Sequence, residues 1–236
     1  MSVDYHVHPL GHRGGRYSEE LLRPYLERAR GRGMREIGFS DHDEYMEGIN
    51  EKSISLLKAA FPDIKIRLGL EVSYRPERTE EIRSASRMLP FDYLIGSLHD
   101  LDGWMFDHPD YRSGYSSWDI GDLYRKYYSE MEKLAFSGLF DIVGHFDVIK
   151  VFDYRPAGDP LRFAEPALQA VARAGLAVEV NTAGLRKPCR EIYPSKELLA
   201  RCFQLNIPVT LGSDAHTEDD VGRDFAYARE LLLQTG

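Results

Sequence analysis

Seven short apolar segments alternate with longer helical segments along the chain, and this repetition restricts the fold more than any other feature. Several of the apolar segments contain almost no polar residue until their last positions, which is typical of parallel strands covered on both faces. The alternation therefore predicts a parallel α/β fold. The predicted strands span residues 2–8, 35–42, 64–73, 91–99, 140–146, 176–182 and 207–216.

Helical periodicity fills several of the intervals between these strands. The first such segment, residues 18–33, begins with Ser18 and two glutamates and ends with arginines and Gly33, which matches helix capping and dipole preferences. Pro24 predicts either a kink in this helix or a later start. Further periodic segments span residues 117–138, 161–175, 195–206 and 217–234.

The repeat contains no linker or low-complexity break, so residues 1–236 are predicted to form one domain. Seven strand-then-helix units are most simply arranged as a (β/α)7 barrel with its functional site at the C-terminal ends of the strands. Periodicity alone also allows an open, doubly wound sheet. That alternative is less favoured because no glycine-rich phosphate loop follows the first strand.

The composition is typical of a soluble globular chain, with 43% hydrophobic and 29% charged residues. The net charge of -8 argues against a nucleic-acid surface, and no apolar stretch is long enough for a membrane span. Cys189 and Cys202 lack metal-site spacing and are predicted to be reduced structural thiols. The N-terminal residues do not resemble a signal peptide, so we expect a cytoplasmic protein.

Polar side chains collect where the predicted strands end. Seven of the eight histidines lie at the end of a strand or in the loop that follows it, together with two carboxylates. In parallel α/β folds these ends converge on one side of the sheet, so we expect the side chains to meet there. They are His6, His8, His12, His42, Glu71, His99, His145, Asp214 and His216.

Imidazole and carboxylate groups without thiolates are typical ligands of zinc, iron or manganese. Nine candidate ligands exceed the needs of one ion and predict a site for two or three divalent ions, with Glu71 able to bridge a pair. Such sites stabilise both the attacking and the leaving oxygen of a phosphoryl displacement. The pattern therefore predicts metal-assisted hydrolysis, most plausibly of a phosphate ester.

The motifs HVH, SDH, GLEVS, GSLH, GHFD and GSDAH, in this order, resemble those of the polymerase-and-histidinol-phosphatase (PHP) superfamily. Longer stretches such as PFDYLIGSLHDL, SGLFDIVGHFDVIKVF and VNTAGLRKP resemble its histidinol-phosphatase branch. The resemblance covers nearly the whole chain and implies a distorted seven-stranded barrel with a trinuclear metal centre. Segment 43–69 is shorter than in typical members of that branch, and the chain stops soon after the last helix. Both regions can shape the substrate end of the pocket, so the prediction of phosphate-ester hydrolysis is firmer than that of the histidinol substrate.

The resemblance also implies how the ligands divide among three metals. His6, His8, Glu71 and Asp214 would hold the first metal, while Glu71, His99 and His145 would hold the second. The third would be held by His12, His42 and His216. We expect Asp41, Glu71, His99 and Asp214 to carry catalysis, with Asp41 either orienting a ligand or donating a proton to the leaving alkoxide.

Phosphate recognition requires cations or N–H donors, and Arg186 in NTAGLRKP is the strongest candidate because a guanidinium binds phosphate oxygens bidentately. The resemblance likewise implies that this arginine contacts the phosphate. Lys187 is interpreted as a surface charge, and Lys150 or Arg155 as a weaker second phosphate contact.

Three further residues are candidates for the substrate side. Asn181 and Ser213 could donate hydrogen bonds at the mouth of the barrel or serve in packing. His108 lies in a long loop that we expect either to close on the non-phosphate end of the substrate or to form a structural turn.

The resulting hypothesis is hydrolysis of a small phosphorylated metabolite by a metal-activated hydroxide attacking phosphorus. The resemblance favours L-histidinol phosphate, an intermediate of histidine biosynthesis, as the substrate. One alternative is a phosphoesterase or exonuclease acting on another metabolite, a nucleotide or a DNA end. A second is a metal-binding accessory module without turnover, which the complete set of ligands disfavours.

Overall fold

Seven parallel strands form one sheet in which each strand pairs with the next one along the chain. The structure is a computed structural model that describes residues 3–235, so Ser2 of the first predicted strand lies outside the described residues. The strands are β1 Val3–Asp4, β2 Glu36–Phe39, β3 Lys65–Ser73, β4 Tyr93–Ser97, β5 Ile142–Val143, β6 Ala177–Asn181 and β7 Val209–Gly212.

An α-helix follows each strand, and all seven helices bury apolar side chains. The predicted helical segments are confirmed with ends shifted by one to three residues, except for the last one. The helices are α1 Glu19–Gly31, α2 Glu51–Ala60, α3 Thr79–Ala85, α4 Ile120–Phe136, α5 Leu161–Ala174, α6 Lys196–Gln204 and α7 Phe225–Thr235.

Backbone hydrogen bonds between the first and last strands close the sheet into a barrel. Tyr5 N donates to the Leu211 carbonyl at 3.1 Å, and His8 N donates to the Ala215 carbonyl at 2.8 Å. Val7 and Ala215 form a parallel bridge between the same two segments. The barrel alternative is thus confirmed over the open, doubly wound sheet.

Strand β3 is the longest of the seven, and its two halves serve different neighbours. Residues 65–68 pair with β2, whereas Gly69–Ser73 pair with β4. Such a stagger between successive strands is what a closed barrel requires. As a result Glu71 lies in the second half of β3, level with the ends of the neighbouring strands.

The lower interior of the barrel is filled by the side chain of Tyr93, whose hydroxyl donates to the Tyr5 carbonyl at 2.7 Å. Glycine is required at two neighbouring positions, since a Cβ at Gly38 would lie 1.9 Å and one at Gly69 2.3 Å from atoms of this tyrosine. The barrel is therefore packed below its C-terminal end, which leaves only that end open to a cavity.

The ends of two helices differ from the sequence-based expectations. Pro24 lies inside α1, which begins at Glu19 and has Ser18 as its N-cap. The alternative prediction of a later helix start is therefore wrong. The prediction of a helix from residue 217 is also wrong in its first part, because α7 begins only at Phe225. Gly222 and Asp224 adopt φ values of 63° and 61°, which interrupt a right-handed helix.

Both cysteines are buried free thiols, as predicted for structural residues. Within residues 3–235, the helices are all too short or too polar to cross a bilayer.

The carboxylate of Asp4 joins the first strand to the segment after the last one. This side chain is fully buried and accepts hydrogen bonds from Ser213 N at 3.0 Å, Ser213 Oγ at 2.6 Å, Gly222 N at 2.8 Å and His6 N at 3.3 Å. Because β1 contains only two residues, these bonds are a large share of what holds it against β7.

We expect Asp4→Ala to lower the free energy of unfolding by about 3 kcal/mol, because several buried donors lose their acceptor. Urea denaturation followed by circular dichroism measures this change. Asp110→Ala is the control, since the Asp110 side chain is 85% exposed. Equal effects of the two substitutions would contradict the role assigned to Asp4.

Candidate metal centre

Glu71 lies at the centre of a group of histidines at the C-terminal end of the barrel. Its carboxylate is buried, and the imidazole nitrogens of five histidines lie within 3.5 Å of it. Those histidines come from segments that follow four different strands, so barrel closure alone brings them together. They are His6 at 3.3 Å, His8 at 3.5 Å, His42 at 2.8 Å, His99 at 3.3 Å and His145 at 3.0 Å.

The remaining candidate ligands complete one side of this group. Asp214 Oδ1 lies 3.4 Å from His8 Nε2. His12 belongs to the loop after β1 and is exposed at the cavity, and its ring stacks on those of His42 and His216, with centroids 5.2 Å and 4.7 Å away. The structure therefore brings all nine sequence-predicted ligand residues together.

Many ring nitrogens in this group are buried without a hydrogen-bond partner among residues 3–235. A buried polar atom without a partner is costly, so the collection of such atoms in one cluster indicates that they fit ligands they can coordinate. Glu71 Oε2 shares this condition. The nitrogens are His6 Nε2, both nitrogens of His8, His42 Nε2, His145 Nδ1 and His216 Nε2.

Four sets of three residues have ligand atoms within 4.8 Å of one another, the distance range in which one ion could be shared. The division of ligands among three metals that the resemblance implies remains a prediction. One set pairs His42 and His216 with His8, whereas the resemblance groups those two with His12. The sets are His8–His42–His216, His6–His8–Glu71, His6–His145–Asp214 and His42–Glu71–His99.

The carboxylates in this group are held in their charged form. Burial by itself raises the pKa of Glu71, but the nearby imidazoles of His6 and His42 outweigh it and leave this pKa well below its usual range. Burial likewise lowers the pKa of His99, and the carboxylates of Asp107 and Glu71 outweigh it and raise this pKa well above normal. The cluster is thus a set of mutually stabilised charges in a buried volume.

Two carboxylates outside the ligand set hold the ligands in place. Asp107 Oδ2 lies 2.7 Å from His99 Nδ1, which directs His99 Nε2 towards Glu71. Asp41 is fully buried, with Oδ1 accepting from the backbone of Leu10 and Gly11 and Oδ2 accepting from Tyr17 at 2.7 Å.

These contacts favour one of the two roles predicted for Asp41. Its carboxylate fixes the loop that leads to His12 and does not face the cavity, which fits a positioning role better than proton donation. Burial nevertheless raises the pKa of Asp41 to about 6.

A third positioning carboxylate, Glu179 in β6, was not among the predicted site residues. Its Oε1 lies 2.6 Å from His6 Nδ1. The signal available in the sequence was a single acidic residue inside the otherwise apolar stretch LAVEVN.

Three of the predicted substrate contacts do not reach the cavity. Asn181 and Ser213 are fully buried and hydrogen-bonded to Glu179 and Asp4, which corresponds to the structural alternative for both. Lys150 is also buried, because its ammonium group lies 2.7 Å from Asp147, 2.9 Å from Glu191 and 2.8 Å from the Ile192 carbonyl. With three acceptors around it, Lys150 is not placed to bind phosphate.

The two remaining predicted contacts lie close to the cavity. Arg186 is partly buried and donates to the carbonyl of Ser213 at 2.8 Å, beside Asp214, but does not line the cavity wall. Its neighbour Lys187, interpreted from the sequence as a surface charge, does line it. His108 lines the cavity from the opposite side, and its Nδ1 accepts from Asp110 N within a turn.

The cavity in front of the metal ligands has a volume of about 830 Å³. One wall is the histidine cluster, and the other is formed by the loop from Asp100 to Pro109 and by residues that follow β2 and β3. Two arginines on that wall are held by carboxylates: Arg75 pairs with Asp100 at 2.8 Å and Arg78 with Asp43 at 2.6 Å.

Fold and site together define a parallel (β/α)7 barrel with a group of metal-type ligands at the C-terminal ends of its strands. The PHP domain family matches residues 4–183 of the chain. The chain is 37% identical to a probable histidinol-phosphatase of Deinococcus radiodurans over 251 aligned positions, which cover 99% of this chain and 93% of that protein. It belongs to the PHP domain family.

Two further comparisons extend over nearly the full length. The histidinol-phosphatase of Bacillus subtilis is 29% identical over 269 aligned positions, covering 98% of each chain. The crystal structure of the histidinol phosphate phosphatase of Lactococcus lactis, complexed with zinc, L-histidinol and phosphate, superposes with a TM-score of 0.74. That match has 25% identity and covers 100% of this chain and 94% of the other.

We expect the affinity for Zn²⁺ to fall as the pH decreases from about 8 to about 6. The carboxylates around His42 and His99 raise the pKa of these imidazoles despite their burial, so without metal they retain protons that Zn²⁺ must displace. Each displaced proton weakens binding by about tenfold per pH unit below the pKa.

Isothermal titration calorimetry in two buffers of different protonation enthalpy measures both the affinity and the protons released. His108→Gln is the control, since this exposed histidine lies outside the cluster and its loss leaves the pH dependence unchanged. An affinity that is the same at both pH values would refute the expectation.

Proposed function

We propose that this chain is a metal-dependent phosphomonoester hydrolase whose substrate is L-histidinol phosphate. The observation that carries the proposal is the cluster centred on Glu71, in which all nine ligand-type residues meet, within a chain that matches histidinol-phosphatases over nearly its full length. A complete ligand set disfavours the accessory module without turnover that the sequence alone left open.

The unpartnered imidazole nitrogens and the Glu71 carboxylate fit two or three divalent ions. Zinc is supported by the zinc in the Lactococcus lactis structure, and iron or manganese have the same ligand preferences. Divalent ions bound in such a site supply positive charge to a phosphoryl group and lower the pKa of coordinated water.

The protein's own residues prepare the site for an anionic substrate. Glu71, held charged chiefly by the imidazoles of His6 and His42, lies at the centre of the ligand-type side chains, and Asp107 orients His99 among them. Because most of these groups are buried, the geometry is set before substrate arrives and requires little rearrangement. This preorganisation is the contribution of the chain to phosphoryl transfer.

The shape of the cavity suits a small metabolite. A volume of about 830 Å³ bounded by the Asp100–Pro109 loop accommodates a compact phosphate ester, and its far wall carries both arginine and carboxylate groups for a polar substrate end. With a net charge of -8, the chain offers little attraction for a DNA backbone. These features favour L-histidinol phosphate over a nucleic-acid end.

Phosphate release from L-histidinol phosphate by the zinc-, manganese- or iron-loaded protein tests the proposal. We expect His99→Ala to lower kcat/KM by about a hundredfold or more, because a ligand adjacent to Glu71 is lost, whereas the exposed-site variant Asp110→Asn keeps full activity.

Three outcomes count against parts of the proposal. A rate no higher than that on a generic aryl phosphate would reject histidinol phosphate as the preferred substrate. Preferred hydrolysis of single-stranded DNA would favour the exonuclease alternative. No hydrolysis with any of the three metals would reject the phosphatase itself.

The phosphate end of the substrate is assigned to Arg186, whose guanidinium lies beside the metal ligand Asp214 through its bond to the Ser213 carbonyl. We expect Arg186→Ala to lower kcat/KM about a hundredfold, with Arg186→Lys giving partial recovery. Lys187→Ala is the matched control and should change kcat/KM less than about threefold. The opposite ranking of the two alanine variants would assign the phosphate to Lys187.

A further inference from the structure

We propose that Glu179 is a positioning residue that fixes which ring nitrogen of His6 can bind metal, while also holding the backbone at His145. One carboxylate would thereby set two ligands that come from different strands. The inference rests on the metal centre of the proposed function. It concerns a side chain that contacts no substrate and lies beneath the ligands, inside the barrel.

The contact between Glu179 and His6 determines which ring nitrogen of His6 carries the hydrogen. Glu179 is 1% exposed, and its Oε1 lies 2.6 Å from His6 Nδ1. Since a carboxylate oxygen only accepts, the hydrogen must be on Nδ1. The other nitrogen, Nε2, is then free to coordinate; it lies 3.3 Å from Glu71 Oε1 and has no hydrogen-bond partner among residues 3–235.

The second oxygen of Glu179 has its own two donors. Oε2 accepts from the backbone N of His145 at 2.8 Å and from Asn181 Nδ2 at 3.1 Å. His145 has a φ of 20°, which non-glycine residues rarely adopt, so this bond supports an unfavourable backbone conformation at a ligand. The orientation of Asn181 is fixed in turn, because its Oδ1 accepts from Ala183 N at 2.8 Å.

The neighbouring strand leaves room for this carboxylate. A Cβ at Gly212 in β7 would lie 1.7 Å from Glu179 Oε1, so a residue with a side chain cannot be placed there without moving the carboxylate. The position of the Glu179 carboxylate therefore requires glycine at position 212.

These contacts determine what an amide would do at position 179. In Glu179→Gln the single amide oxygen must face His145 N and Asn181 Nδ2, because both are donors. The amide NH2 then faces His6 Nδ1 and forces this nitrogen to accept. The hydrogen of His6 moves to Nε2, and the nitrogen that faces the metal loses its free lone pair.

Asp107 provides a matched comparison, because it makes the same kind of contact with a different ligand. Its Oδ2 lies 2.7 Å from His99 Nδ1, and this is its only side-chain hydrogen bond within the described part of the chain. In Asp107→Asn the amide can turn its oxygen towards His99 and keep the ligand in the same state. Two substitutions of the same chemistry are thus expected to have different effects.

The experiment is titration of the metal-free wild type, Glu179→Gln and Asp107→Asn with Zn²⁺, with bound zinc measured by mass spectrometry of the metal. We expect Glu179→Gln to bind one zinc ion about 10- to 100-fold more weakly than wild type. Asp107→Asn should weaken zinc binding clearly less than Glu179→Gln does, because its amide can still present an oxygen to His99 Nδ1. Circular dichroism and the Tm of the metal-free proteins report on whether the fold is retained.

Equal zinc affinity and stoichiometry in wild type and a folded Glu179→Gln would overturn the inference. A wild type that binds no zinc would instead reject the metal centre of the proposed function. If Glu179→Gln does not fold, ¹⁵N spectra of histidine-labelled, zinc-loaded wild type decide the matter, with His6 assigned by comparison with His6→Gln. A hydrogen on His6 Nδ1 supports the inference, and coordination through Nδ1 overturns it.

Discussion

The contact between the Glu71 carboxylate and five imidazoles is the interaction on which the rest of this structure depends. A charged group with 1% exposure is tolerated in a protein interior only when opposite charges or donors surround it, and here all of those partners are histidines. Each histidine can contact Glu71 only if the register of its strand places the end of that strand level with Glu71. The metal centre therefore sets strict requirements on strand register, and register in turn depends on barrel closure.

Support for the cluster comes from a second layer of carboxylates, each of which performs a different task. Asp4 joins the strands on either side of the closure, Asp41 holds the loop to His12, and Asp107 and Glu179 each face one ring nitrogen of a ligand. Three of these acidic side chains, those of Asp4, Asp41 and Glu179, are fully or almost fully buried, which is costly. Hydrogen bonds from backbone N–H groups, hydroxyls and imidazoles compensate for this cost, which makes the site rigid rather than adaptable.

Much of the fold and the meeting of the nine ligand-type residues could be predicted from the sequence, because parallel strands place their last residues at one end of the sheet. His42 and His99 closely follow a strand, and Glu71 lies near the end of one. The supporting residues were harder to predict. Glu179 lies in the middle of a strand, and the sequence alone does not show that this side chain points into a closed barrel beneath the histidines. Lys150 has the charge expected of a phosphate contact, yet it is surrounded by Asp147 and by two acceptors that are distant in sequence, Glu191 and the Ile192 carbonyl. Pairing over such separations leaves no local pattern.

Closure of the barrel between its first and last strands also determines when the nine ligand-type residues can come together during synthesis. His6 and His8 are synthesised some two hundred residues before Asp214 and His216, and the bonds from Tyr5 to Leu211 and from His8 to Ala215 join the two segments. A nascent chain can pair β1 with β2 early, but it cannot assemble the full set of ligands until residue 216 has left the ribosome. If the chain holds metal as proposed, loading of the complete centre is consequently a late event.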